Sequence, residues 1–399
     1  MRTWSLLRAL AAEGHDVSLL TFAEAEELDG HLAAVKEVCP QTYVIPLKLV
    51  NLSSPAGYLG RLRGLFSAKP YALRRFASRP MRERVIQHLK RGEFDAVMCD
   101  TIFSLVNLPL FQVPLLLNNP DVEYVVLERY LAFETNWAKR LYARFEAVKV
   151  RRWEQCACQR ATAGMACSEH DRSLLQALAP NVPIFVVPNV VDTENYEPGH
   201  EGDGRTILYQ GGMDWFPNRD AVSYFVEQML PGVSSQFPGV RFVIAGRNPS
   251  LSFQQRFAGI SNLQFTGTVP DMRPIVSGAD ICIVPLRIGS GTRLKILEAA
   301  ALGKAVVSTA LGAEGLNFEA GKEIWIADDP ASFSQAIVQL LRNPELRRQM
   351  GDRARKRVES DYSFAVLQTS LRRLSAHFST STVPSFVEDS YPGLDHRPS

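Results

Sequence analysis

The chain has 399 residues, of which 46% are hydrophobic and 22% charged, and its formal net charge is +2. The composition is that of a globular protein, the length predicts two domains, and the near-neutral charge predicts no nucleic-acid partner. The sequence shows neither an apolar run of the roughly 18 residues that span a bilayer nor a secretory signal. We therefore expect a cytoplasmic protein with reduced cysteines and, because its six cysteines lack metal-ligand spacing, no bound metal.

The chain opens on a helical pattern. Residues 4–12 are apolar at helical spacing, and Gly14 ends this predicted helix before the first predicted strand, Val17–Phe22. A Rossmann-like domain begins with a strand and a glycine turn, so we expect the first sheet to be missing its first strand. The other strands predicted in this half are Tyr43–Pro46, Ala96–Cys99, Leu115–Leu117 and Gly164–Cys167.

Basic residues dominate the region between the second and third predicted strands. Residues 61–91 hold ten Lys or Arg and a single acid, Glu83, and a second basic stretch covers residues 139–152. Two interpretations remain open. These stretches are either solvated helix faces or a surface for an anionic membrane, where each basic residue contributes about 1 kcal/mol.

The second half repeats the alternation of short β-branched runs with helical patterns. Such alternation indicates parallel sheets covered by helices, so the fold class is α/β with two Rossmann-like halves joined near residues 188–192. The strands predicted here are Ile207–Gln210, Phe242–Ala245, Leu263–Thr266, Ile281–Pro285, Val306–Ser308 and Ile324–Ala327.

A glycine-rich segment after one of these strands carries the most chemical information. Residues 289–309 have the sequence GSGTRLKILEAAALGKAVVST, which predicts a turn followed by a helix that begins near Thr292. Glycines permit close approach of a ligand, and a helix amino terminus attracts phosphate. Thr292, Lys295 and Glu298 are spaced by three and are expected on one helix face. The alternative is an ordinary turn followed by an exposed Lys–Glu pair.

Several motifs in order resemble those of retaining GT-B glycosyltransferases, broadly family 4 or group 1. They are VVPNVVD at 186–192, TILYQGGMDWFPN at 206–218, FVIAGRNP at 242–249, GTVPDMRPIVSGADICIVPL at 267–286, and GSGTRLKILEA at 289–299, the last resembling a bacterial subgroup. The resemblance implies two Rossmann-like domains facing across a cleft. It implies an acceptor domain at 1–185, a donor domain at 186–355 and a helix at 356–376 that returns to the first domain, before a tail at 377–399 that is too polar to form a core.

The resemblance also implies an activity, namely retaining transfer of a hexose from a UDP- or GDP-sugar without a cofactor. Glu298 matches the glutamate that binds ribose in the family. The first of the family's two glutamates, eight positions earlier, falls on Ser290 and is therefore missing here. The family's Arg and Lys for the diphosphate fall on Gly212 and Asn218. Arg293 and Lys295 are expected to supply that charge, since a leaving diphosphate must be stabilised and no divalent-metal motif is present. The implied catalytic residues are Arg293, Lys295 and Glu298, and the implied donor-binding residues are Gly211, Gly212, Asn218, Arg247, Val269, Ser290, Gly291, Thr292, Arg293, Lys295 and Glu298.

On the acceptor side, the family's histidine and the glycine turn after its first strand are both missing. Asp121 and Glu123 are candidate acceptor contacts, although solvated acids at a strand end explain them equally well. The expected partners are a nucleotide-sugar donor and a glycan or lipid-linked acceptor of cell-surface polysaccharide or glycoconjugate synthesis. Peripheral contact with an anionic membrane through residues 61–91 is a further hypothesis.

Three alternatives were weighed against a transferase. A sugar-nucleotide 2-epimerase shares the fold but needs acid–base groups around the sugar, and no such set is evident. A dehydrogenase needs a third glycine after Gly289 and Gly291, which the sequence does not supply. A donor-binding remnant, inactive through loss of the first strand, remains possible.

Overall fold

A computed structural model describes residues 2–23, 28–47, 49, 54–199 and 202–380. The chain divides into two compact units, Met1–Pro188 with Leu367–Ser399, and Asn189–Val366. The predicted boundary at 185/186 falls inside an unpredicted strand, Ile184–Val186. This strand is short and lies beside the segment interpreted as an interdomain linker, which is why the pattern did not reveal it.

The first unit consists of parallel strands and the helices that connect them. Its strands are β1 (Ser18–Ala23), β2 (Gln41–Pro46), β3 (Val97–Asp100), β4 (Leu115–Asn119), β5 (Ala163–Ala166) and β6 (Ile184–Val186). Its helices are α1 (Arg2–Ala12), α2 (Leu28–Val38), α3 (Pro55–Leu65), α4 (Tyr71–Phe76), α5 (Arg79–Leu89), α6 (Thr101–Ser104) with a 3₁₀ turn (Leu105–Asn107), α7 (Glu123–Phe133), α8 (Trp137–Arg160) and α9 (Glu169–Leu178).

The strands of this unit form two separate sheets. One contains β1 and β2, and the other has the order β3-β4-β5-β6. A cavity of about 730 Å³ is lined by the start of β1, by β3 and by leucines of α1. Within the described part of the chain no strand pairs with β1 or β3 on the side of this cavity.

The last helix, α17 (Phe364–Thr380), belongs to the first unit from Leu367 onward. Arg372 forms an ion pair with Glu13 at 2.6 Å, and the His377 ring lies 5.3 Å from that of Phe185. Residues 377–380, predicted to start the tail, therefore continue the helix because His377 has an aromatic partner in the unit. The rest of the predicted tail, residues 381–399, lies outside the described residues.

The second unit has one six-stranded parallel sheet with the order β12-β11-β10-β7-β8-β9. Its strands are β7 (Thr206–Gln210), β8 (Arg241–Ala245), β9 (Leu263–Gly267), β10 (Ile281–Val284), β11 (Ala305–Ser308) and β12 (Trp325–Ile326). Its helices are α10 (Phe216–Tyr224) with a π turn (Phe225–Met229), α11 (Leu230–Gln236), α12 (Leu251–Arg256), α13 (Arg273–Ser277), α14 (Leu294–Ala301), α15 (Pro330–Arg342) and α16 (Pro344–Asp361).

Every strand predicted from the sequence is present, with ends shifted by a residue or two. The central strands β7 and β10 are buried along their whole length, as parallel strands covered on both faces must be. Phe225 packs on Phe242 with ring centroids 4.6 Å apart, and Phe333 of α15 packs against the ring of Phe225. Each buried phenylalanine of this kind contributes about 2–3 kcal/mol to stability. None of the described helices combines the length and apolar character needed to cross a membrane.

Candidate functional site

The strand order of the second unit reverses between β7 and β10. From the central β7 the chain continues outward to β8 and β9, then crosses to β10 on the other side and continues to β11 and β12. In open α/β sheets, ligands bind outside the carboxyl ends of the strands at such a reversal. The residues found there are Gln210–Gly212 after β7 and the glycine-rich turn 289–291 after β10.

Glycines at this edge allow three loops to approach one another closely. Gly211 has φ 155°, and a Cβ on it would lie 2.8 Å from Asn218 Nδ2 and 2.9 Å from Lys295 Nζ. A Cβ on Gly246, the residue after β8, would lie 2.1 Å from the carbonyl oxygen of Gly211. Any side chain at these positions would push the loops apart, so the glycines fix the shape of the edge.

The ammonium group of Lys295 lies beside the end of β7. Its Nζ donates to Tyr209 Oη at 3.0 Å and to Asn218 Oδ1 at 2.9 Å, and it lies 4.2 Å from the centroid of the Tyr209 ring. Burial, together with the nearby Arg293, lowers the pKa of Lys295 to about 7, while Glu298 opposes the shift. Lys295 is half-buried, and no carboxylate among the described residues forms an ion pair with it, so its ammonium group is suited to an anionic ligand.

Glu298 lies one turn further along α14 and is oriented by two side chains from other segments. Gln210 Nε2 donates to Glu298 Oε2 at 2.6 Å, and Tyr196 Oη donates to Glu298 Oε1 at 3.4 Å. Burial raises the pKa of Glu298, and the hydrogen bond from Tyr196 acts in the opposite direction. Arg355 donates to the carbonyls of Tyr196 and Ala301 and so fastens the Tyr196 loop to α14.

Arg293 does not extend from the helix as expected. Its guanidinium donates to the carbonyls of Ser290 and Gly291, and a Cβ on Gly289 would lie 2.8 Å from its Nη2. The arginine therefore braces the glycine turn, and only 9% of its surface is exposed.

The helix also begins later than predicted. Arg293 has an extended backbone, with φ −92° and ψ 99°, so α14 starts at Leu294. Thr292 precedes the helix, and its Oγ1 accepts from Asn189 Nδ2 at 2.9 Å. The prediction that Thr292 shares a helix face with Lys295 and Glu298 is therefore wrong.

Arg247 and Val269 follow the neighbouring strands β8 and β9. Arg247 lies beside Gly212, where a Cβ would be 3.4 Å from its Cγ, and it pairs with Asp214 at 3.4 Å. Val269 lies two residues after β9, the edge strand, and is partly buried. No contact found among the described residues connects Val269 with Lys295 or Glu298.

The two predicted acceptor-side acids lie in the first unit, between β4 and α7. Glu123 is the first residue of α7, and burial raises its pKa well above the ordinary value, as do Asp121 and Glu154. Glu154 on α8 is fully buried and accepts from the amides of Glu123 and Tyr124, both at 3.1 Å. Burial raises the pKa of Glu154 to about 7. Glu123 is half-buried, and its role as an acceptor contact stays a prediction.

Three residues of the second-unit site were not predicted, namely Tyr196, Tyr209 and Gln210. Gln210 ends a strand whose three preceding residues, 207–209, are Ile, Leu and Tyr, and a strongly polar residue at that position is a usable signal for a site. Tyr209 looks like a core residue, and Tyr196 lies in a loop remote in sequence, so neither gives a local signal. No group of three or more His, Cys, Asp or Glu among the residues that the structure describes is arranged to hold a metal ion.

Comparison with known proteins places both units in the same class of enzyme. Residues 1–195 match the family model described as Glycosyltransferase Family 4, and residues 204–343 match the one described as Glycosyl transferases group 1. Solved structures of sugar-transferring enzymes share the fold over nearly the whole chain. The chain is therefore a glycosyltransferase of the GT-B fold.

The similar proteins are distant in sequence. Sucrose-phosphate synthase from Thermosynechococcus elongatus is 19% identical with a TM-score of 0.68, covering 95% of this chain and 93% of that one. HepE from Anabaena, solved with UDP and glucose, is 13% identical with a TM-score of 0.63, covering 94% and 95%. An uncharacterized 44.6 kDa protein in the cps region of Klebsiella pneumoniae is 23% identical over 84% of this chain and 85% of its own length.

Proposed function

We propose that the second unit binds a nucleotide diphosphate sugar and that the enzyme transfers its hexose to a glycan or lipid-linked acceptor. One observation carries the proposal. Lys295 and Glu298 lie one helical turn apart behind a glycine turn, at the point where the strand order reverses. This arrangement offers a cation for the diphosphate and a carboxylate for the ribose, at the edge where α/β sheets bind nucleotides.

Gly212 and Asn218 carry no charge where typical family members have arginine and lysine, and two nearby cations supply the charge instead. Lys295 Nζ lies 2.9 Å from Asn218 Oδ1, so its charge stands beside the position that carries lysine in typical family members. The Arg247 side chain likewise lies against Gly212, the position of the family's arginine. We assign the diphosphate to Lys295 and Arg247, and we assign to Arg293 the task of holding the glycine turn in shape.

Glu298 is assigned to the ribose. A carboxylate accepts from two vicinal hydroxyls when its orientation is fixed, and Gln210 and Tyr196 fix it here. The structures of HepE with UDP and with UDP-glucose support a uridine nucleotide as the first donor to test. No cofactor is assigned, because the donor carries its own leaving group.

The proposed reaction retains the anomeric configuration, with the leaving diphosphate stabilised by the relocated cations. The similar protein in the Klebsiella cps region supports a role in cell-surface polysaccharide synthesis. We place this reaction at the cytoplasmic face of the cell membrane, in peripheral contact with anionic lipid.

The experiment must separate transfer from epimerisation, the second candidate for this fold. The full chain is incubated with UDP- and GDP-sugars, with and without glycan acceptors, and the sugar is followed by NMR. A transferase releases nucleoside diphosphate in an acceptor-dependent way and yields a product with the donor's anomeric configuration. Interconversion of the nucleotide sugar without acceptor would establish the epimerase, and donor binding without either reaction would establish the remnant.

A further inference from the structure

The first half of α8 exposes a continuous row of large apolar side chains. Trp137, Leu141, Phe145 and Val148 recur every three or four residues and therefore share one helix face. Their exposed fractions are 78%, 51%, 54% and 53%. From Ala143 onward the opposite face of this helix is buried, so there the exposed row is additional to the side that packs on the unit.

A second row lies on α3. Tyr58, Leu62 and Phe66 repeat at intervals of four residues, and Phe66 is 95% exposed. Together with Leu59, Leu65 and the row on α8, these residues make up nine of the fourteen large hydrophobic side chains exposed in the described part of the chain. Clustering of this kind marks an interaction site, whereas single exposed apolar residues do not.

The end of α3 lies close to the middle of α8. Lys149 Nζ on α8 donates to the carbonyl of Gly64 on α3 at 2.8 Å. The backbone amide of Tyr71 donates to Glu146 Oε2 on α8 at 2.7 Å, while the Tyr71 ring lies against Gly60 of α3, where a Cβ would be 2.9 Å from it. The two rows therefore lie on neighbouring segments of the same unit, and we call them together the α3/α8 surface.

The charges on this surface have one sign. The acids of α8, Glu146 and Glu154, are buried, and α3 contains no acid. Arg140 and Arg144 each follow a residue of the apolar row by three positions and so flank it on the helix. The exposed basic residues of the two helices are Arg63, Lys139, Arg140, Arg144, Arg151 and Arg152.

We propose that the α3/α8 surface docks on an anionic lipid bilayer. The apolar rows enter the boundary between headgroups and acyl chains, and the arginines beside them contact lipid phosphates, as in interfacial amphipathic helices. A second copy of the chain is disfavoured as occupant, because self-association would bring two positive surfaces together. This inference rests on the proposed function, because it assigns the membrane contact of that function to the α3/α8 surface. The basic residues on and directly after α5, which end the 61–91 stretch, are not part of this surface.

The test is co-sedimentation of the full chain with vesicles, in the absence of nucleotide. We expect binding to vesicles that contain phosphatidylglycerol and little binding to pure phosphatidylcholine. The double variant Arg140→Gln/Arg144→Gln should weaken binding about 30-fold, from a factor of about five for each basic residue. Trp137→Ala/Phe145→Ala should abolish the binding that survives high salt.

The matched control, Lys90→Gln/Arg91→Gln, removes the same charge from the end of α5 and should bind as the parent does. Unchanged thermal midpoints establish that all variants are folded. Loss of binding in the control alone, or unchanged binding in both α8 variants, would overturn the proposal. A dimer that dissociates in Trp137→Ala/Phe145→Ala, without vesicle binding by the parent, would also overturn it in favour of self-association. Because the vesicle experiment uses no nucleotide, its result can be interpreted even if the donor assignment is wrong.

Discussion

Gln210 and Tyr196 orient the carboxylate of Glu298, so substitutions of these three residues measure its contribution to UDP binding. Glu298→Ala should weaken binding of UDP by about 1–3 kcal/mol, which is the worth of hydrogen bonds to a charged group. Gln210→Ala and Tyr196→Phe should each weaken it less, since the carboxylate remains but is less well oriented. Isothermal calorimetry measures all three. The control is Glu345→Ala, which removes an exposed acid that pairs with Arg348 in α16. Equal UDP affinity in the parent and in Glu298→Ala would exclude Glu298 from the site.

Lys295 gives the site a pH dependence. Burial lowers its pKa in the folded chain to about 7, from the ordinary lysine value of 10.5. Between these values the unfolded chain binds more protons, so the contribution of Lys295 to stability rises with pH from about 7 upward. Diphosphate binding requires the protonated form and should change in the opposite direction, weakening by up to about tenfold per pH unit above pH 7.

The corresponding measurement is UDP affinity between pH 7 and 9. Lys295→Met should bind more weakly and show little pH dependence in this range. Lys295→Arg should retain the charge throughout and also lose the dependence, because guanidinium does not titrate there. A parent enzyme with constant affinity over this range would show that the charge of Lys295 does not act on the ligand.

At the scale of elements, one buried acid holds the start of α7. Glu154 accepts from two successive backbone amides, so Glu154→Ala leaves both without their acceptor. We expect a loss of about 2–6 kcal/mol in the free energy of unfolding, from about 1–3 kcal/mol for each of the two unmade buried hydrogen bonds. Urea denaturation measures it, with Glu128→Ala on the exposed side of α7 as control. A loss no greater than that of the control would show that α7 does not need this cap.

Sequence patterns predicted the strands well because each buried strand is a short apolar run bounded by turn residues. They placed the first helix correctly, and Gly14 ends it with φ 83°. They failed where a contact distant in sequence decides the structure. Asn189 holds Thr292 in front of α14, and His377 extends α17 by packing on Phe185. Neither partner is visible in a local window.

The candidate site was predictable to a similar degree. The glycine turn, Lys295 and Glu298 follow from their spacing and from the family resemblance. The partners that set their chemistry do not, since Tyr196, Tyr209 and Gln210 reach the site from other segments. Arg293 illustrates a second difficulty. A sequence pattern cannot distinguish an arginine that contacts a ligand from an arginine that donates hydrogen bonds to its own loop.

At the scale of the whole molecule, the proposed function assigns the nucleotide site to the second unit, and its test uses the full chain. The central claim is that this site recognises a nucleoside diphosphate through Lys295. The most direct measurement is the affinity of the full chain for UDP and for uridine, and for GDP and guanosine, in the parent and in Lys295→Met. The account predicts that one diphosphate binds much more tightly than its nucleoside. It also predicts that Lys295→Met loses about 10- to 100-fold for the diphosphate and little for the nucleoside. Equal losses for both ligands, or a parent that binds diphosphate no better than nucleoside, would contradict it.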